Sequence, residues 1–145
     1  MSKSKRIKFH KLPYPVPRWV QRYVIKVHRL LVPEWTLIVR WGTPSDDSDV
    51  IGIVNPNSEY LDADIVFNSK IRDNTDGRVA VIHELLHLVM DRLETSVELI
   101  AATADKRNFK NGKKFSPSIM ALLNNHDNAE EETIVRLSRV LEQLI

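Results

Sequence analysis

"AVIHELLHLVM", residues 80–90, sets two histidines and a glutamate into a run that otherwise reads as the buried face of a helix. Polar groups do not enter apolar surroundings without partners, so the stretch asks what element carries it and what its polar side chains meet. "RDNTDG" at 72–77 supplies helix-start chemistry, with Thr75 or Asp76 as N-cap, and the spacing predicts a helix over residues 78–93. On that helix His83 and His87 lie four apart, on one face, about 40° apart around the axis. Glu84 is turned by about 100° from His83. Ile82, Leu85, Leu86, Val89 and Leu93 fall mostly on the other side and hold the helix against a core.

Working outward, "RWVQRYVIKVHRLLV" before this helix repeats apolar residues at helical spacing, from Trp19 and Val20 to Leu30 and Leu31, and Pro33 closes it. His28 on this first helix reads as a surface or half-buried histidine, because no second ligand neighbours it. Three strands are expected next: "WTLIVRW" (35–41), "VIGIVN" (50–55) and "ADIVFN" (63–68). Their short, turn-rich connections imply antiparallel pairing in at least part of the sheet. The last strand, half polar, is expected at an edge. After the motif helix come a further helical stretch, "ETSVELIAATA", a basic loop, "SPSIMALLNN" and a final helix, "AEEETIVRLSRVLEQLI".

A chain of 145 residues, 43% hydrophobic and 28% charged, is enough for one domain with a real core. The expected plan is a basic, proline-containing arm over 1–17, including "LPYPVP", and a single domain over 18–145. The sequence has no cysteine, which excludes a disulfide framework and thiolate metal sites, so any metal is held by His, Asp or Glu. The basic start, "MSKSKRIKFHK", has no apolar core behind it and is not a secretory signal. Nothing approaches the 18 or so consecutive apolar residues of a membrane span. A cytoplasmic protein with no membrane partner is expected. A net charge of +2 argues against a dedicated nucleic-acid binder, although Lys3, Lys5, Arg6, Lys8 and Lys11, with a basic loop at 106–114, leave nucleic acid as a weakly supported partner.

Two imidazoles closing on one side of a helix have the geometry to bind one ion, and Glu84 stands beside that ion, where it can take a proton from the attacking water. A catalytic zinc usually has three protein ligands. After His87 comes "LVMDRLETSVE", which offers no third histidine. The final helix begins with three glutamates: Glu131 is three and four residues ahead of Ile134 and Val135, and Glu130 is four and seven ahead of Ile134 and Leu137. Either points inward if the apolar face is Ile134, Leu137, Leu141 and Leu144, while Glu132 projects away. Glu131 is the preferred third ligand and Glu130 the alternative. Asp91 shares the histidine face one turn beyond His87 and suits a hydrogen bond to it; Glu94 and Glu98 are nearby rivals. His126 is a further candidate, as ligand or transition-state donor.

His83-Glu84-Leu85-Leu86-His87 is an H-E-x-x-H sequence. With a helix and small sheet before it and a Glu-bearing helix late in the chain, the sequence resembles the minimal zincin-like metallopeptidases of the gluzincin type, small phage and bacterial proteins with SprT-like proteins as distant kin. The resemblance covers about residues 18–145 and is specific only at the motif. It implies an α+β, minimal zincin-like fold: a three-stranded sheet packed on the motif helix, with an N-terminal helix and C-terminal helices. It further implies Zn2+ held by His83, His87 and Glu131, Glu84 as general base, and a peptide or protein substrate. The sequence departs from relatives in showing no assignable oxyanion donor; His126, Tyr60 and Arg72 are the candidates. Strand addition of a peptide onto "ADIVFN" is expected. Two rival readings are a non-catalytic, zinc-stabilised binding module and a nucleic-acid-associated SprT-like protein.

Overall fold

A computed structural model describes residues 6–104 and 117–145, with the side chains of 92–124 and 126 set aside. The elements run β1 (Ile7–Phe9), α1 (Arg18–Leu31), β2 (Thr36–Gly42), β3 (Gly52–Asn57), β4 (Asp62–Asn68), α2 (Thr75–Ala104) and α3 (Pro117–Leu144). The fold is α+β. Its four-stranded sheet has the order β1-β2-β4-β3, with β1, β2 and β4 parallel and β3 antiparallel to β4.

Alternation along the strands explains how the sheet sits. Leu37, Val39 and Trp41 on β2 and Ala63, Ile65 and Phe67 on β4 are buried, while Ile38, Arg40, Asp64 and Val66 between them are half-buried on the opposite face. The buried set joins Val20, Val24 and Val27 of α1 and Val81, Ile82, Leu85 and Leu88 of α2 in one core. A sheet covered on one side alternates in this way. α3 packs on α2.

Several expectations are corrected. The sheet has four strands rather than three, because the basic arm contributes β1, whose Ile7 and Phe9 pack against the core around the exposed Lys8. β4 is not an edge: it pairs with β2 on one side and β3 on the other, and its polar half faces out from the uncovered face. The edge next to β4 is β3, which carries Pro56, a residue unable to donate to a ladder. The expected antiparallel pairing in part of the sheet is present between β3 and β4, and an isolated antiparallel bridge joins Tyr14 to Trp41.

Asn74, not Thr75 or Asp76, caps α2, its Oδ1 accepting the Gly77 N–H at 2.9 Å. Gly77 is needed there, since a Cβ would stand 1.9 Å from the Arg72 carbonyl oxygen. The stretch "ETSVELIAATA" continues α2, and "SPSIMALLNN", from Pro117 on, and the final helix are one helix, α3. His28 is buried rather than superficial, its Nε2–H donating to the Trp35 carbonyl at 2.7 Å, which compensates its loss of water. Val89 is exposed, and Leu93 and the basic loop at 106–114 lie outside the described side chains and residues. Among the described residues no helix is long and apolar enough to cross a membrane.

Candidate metal centre

α2 carries the first part of the site. Ile82, Leu85 and Leu88 are buried against the sheet, and this anchoring turns His83 and His87 toward α3. Their Nε2 atoms are 3.1 Å apart, with the ring planes inclined at 75°. α3 supplies the third member. Ile134 and Ser138 are fully buried and Leu141 and Glu142 half-buried, so the inward face follows 131, 134, 138, 141 and 142. Leu137 and Leu144, expected on that face, are exposed. The inward face places Glu131 Oε1 3.3 Å from His83 Nε2, and its Oε2 3.7 Å from His87 Nε2.

These separations fit one ion. Ligand atoms about 2.0–2.1 Å from a tetrahedral zinc stand roughly 3.3–3.4 Å from one another, close to the three distances found. His83, His87 and Glu131 are the one group of three or more potential ligands that the described residues bring together. Glu130 is half-buried beside it and Glu132 points away, paired with Arg136. Burial pulls both imidazoles below their ordinary pKa; the neighbouring His83 lowers His87 further, and Glu131 opposes the shift in both. The rings are therefore held in the neutral form that ligates metals.

Glu84 is 6% exposed, and among the described residues its carboxyl has no hydrogen-bond partner. Burial first, then the charge of Glu131, pushes its pKa up to about 7. A buried carboxyl needs a hydrogen-bond partner, and a water or reactant held at the neighbouring cluster would supply one. Glu84 lies flat on β3: a Cβ built on Gly52 would stand 2.7 Å from its Cγ, 2.8 Å from its Cδ and 2.9 Å from its Oε1. Gly52 was not singled out from the sequence, although a lone glycine within a strand pattern signals close approach of another group.

The cluster sits in a cleft between β3 and α3. One arm, of 780 Å³, runs past Val79, Ala80, Val135 and Arg139; the other, of 400 Å³, runs past Ile53, Val54, Pro56 and Asp91; both share Gly52, His83, Glu84 and Glu131. Asp91 accepts a hydrogen bond from Ser58 in the β3–β4 turn. Of the candidate oxyanion donors, Tyr60 is 70% exposed on that same turn, and Arg72 lines a separate 280 Å³ cavity that does not include the histidines. The side chains of His126, Glu94 and Glu98 lie outside those described. Comparison of the chain with family models, with curated proteins and with solved structures found no match.

Proposed function

We propose that this chain is a zinc-dependent metallopeptidase with a minimal zincin-like, gluzincin-type fold. The observation that carries the reading is a buried Glu84, without a hydrogen-bond partner among the described residues, directly beside the His83–His87–Glu131 cluster in an open cleft. Zinc held by these three residues would lower the pKa of water from 15.7 to about 7 and polarise a carbonyl. Glu84, buried beside the cluster, would accept the proton of the attacking water and pass it to the leaving amine. The side of β3 that no strand covers among the described residues, rather than the interior β4, would pair with an extended peptide alongside the cluster.

The test is zinc content together with cleavage of dye-quenched casein. Wild type carries about one zinc per chain and cleaves; Glu84→Gln keeps the metal and loses turnover. Turnover retained in Glu84→Gln would sink the mechanism. A second reading, a zinc-stabilised module without catalysis, is favoured by one observation: the three ligands tie α2 to α3, so the ion would brace the fold. Zinc binding by wild type with no Glu84-dependent cleavage selects that reading.

A further inference from the structure

β3 is fixed to α2 at two places. At its beginning the Gly52 backbone rests on the Glu84 side chain. Beyond its end, Ser58 Oγ donates to Asp91 Oδ2, one helical turn past His87. Between these fixings Ile53, Val54 and Pro56 form one wall of the smaller arm of the cleft, and His83, His87 and Asp91 stand opposite. Among the described residues β3 has a strand neighbour on one side only, so sheet pairing does not set how far its other edge stands from α2. The contacts of β3 with α2 and the core do: Gly52 and Ser58 at the two ends, with Val54 packed against the core between them.

The geometry points to Ser58 and Asp91 as a positioning pair that holds the edge of β3 opposite β4 over the His87 side of the cleft, at the separation an extended peptide needs to pair with the strand and reach the cluster. The peptide in this statement rests on the metallopeptidase reading; the fixing of the strand does not. Neither residue touches the reacting atoms, and their effect passes through β3. A strand edge held in place pre-organises the binding surface, and releasing it raises the cost of ordering it around a ligand. Loss of the pair therefore weakens peptide capture more than the chemical step.

The experiment uses the zinc-loaded full chain as wild type, Ser58→Ala, Ser58→Thr and Asp91→Asn. Hydrogen exchange of the backbone amides of Ile53, Val54, Asn55 and Asn57 reads the fixing, and dye-quenched casein reads KM and kcat. In Ser58→Ala the expected results are exchange several-fold faster in that segment, unchanged zinc content, and a KM about tenfold higher with kcat within about twofold. Ser58→Thr, which keeps the hydroxyl, restores both. Exchange equal to wild type in Ser58→Ala and Asp91→Asn overturns the fixing; faster exchange with unchanged KM, or a fall in kcat with loss of zinc, overturns the positioning role. If zinc-loaded wild type shows no Glu84-dependent cleavage, the metallopeptidase reading fails and the peptide role fails with it, while exchange still decides whether the pair fixes the strand.

Discussion

Nε2 of His83 and Oε1 of Glu131 stand 3.3 Å apart although they belong to different helices, α2 and α3. With His83 held neutral by burial the contact is no ion pair, and Glu131 is 54% exposed, so it is worth little by itself. The relationship gains its meaning from His87, which adds a third donor at matching distance. His83→Ala, His87→Ala and Glu131→Ala should each weaken zinc binding by more than the roughly 10- to 100-fold typical of losing a residue that only supports a ligand. Glu130→Ala should leave one zinc per chain. Competition against a chromophoric chelator measures all four, and a Glu130→Ala loss equal to that of Glu131→Ala would transfer the ligand role.

Gly52→Ala tests the seat of the base. The new Cβ would lie under 3.0 Å from three atoms of Glu84, so the carboxyl must shift. Displacement of a reacting group by about 1 Å can cost 100-fold in rate. The expected outcome is a fall in kcat on casein of about that size with zinc content unchanged, since the three atoms nearest the new methyl all belong to Glu84. Equal kcat in the variant would show that Glu84 is not required where it sits.

The same glutamate makes a prediction about pH in the metal-free protein. Its pKa is about 7 in the folded chain and 4.5 ordinarily, so the folded state retains a proton that the unfolded chain releases. Its contribution to stability is full below pH 4.5 and is lost as pH rises through 7. His83 and His87, lowered from 6.5, act oppositely: their contribution is present above 6.5 and is lost as pH falls. Glu84→Gln removes the first effect alone. In urea denaturation with EDTA present, the variant should match wild type near pH 4 and exceed it by about 3 kcal/mol at pH 8. Parallel stability curves across that range would mean the carboxyl is not held protonated.

The motif helix and its ligand face were legible because a 3.6-residue period around His83 and His87 is a local signal. Glu131 was reachable by the same periodicity, from its spacing to Ile134, even though the face assigned to α3 was partly wrong. Leu137 and Leu144 are apolar yet exposed, whereas Ser138 is polar yet fully buried, its hydroxyl satisfied by the Val135 carbonyl. Period alone cannot separate two apolar stripes on one helix. β1 was missed because three residues in a lysine-rich arm give too short an alternation, though Ile7, Lys8 and Phe9 do alternate. The position of β4 was not legible: a polar–apolar alternation reports one uncovered face, and an edge strand and an interior strand of a one-sided sheet share it. The Ser58–Asp91 contact joins a turn to a distant helix and left no local signal.

Ile134 links packing to the metal centre. It is fully buried in the core, one turn beyond Glu131, and with the Glu142–Arg78 pair and the hydrogen bond from Lys26 to the Ile145 carbonyl it docks α3. Ile134→Ala removes buried methyl groups at an expected cost of about 2–5 kcal/mol. Because α3 holds Glu131, the loss should also loosen the third ligand, so zinc affinity falls although no ligand is changed. Binding and folding are linked: zinc at about 100 times its Kd adds roughly 2.7 kcal/mol of stability. Denaturation of Ile134→Ala with EDTA and with excess zinc should therefore show the metal recovering much of the deficit. In the double variant Ile134→Ala/Glu131→Ala that recovery should largely vanish, and recovery undiminished by the loss of Glu131 would separate α3 docking from the ion.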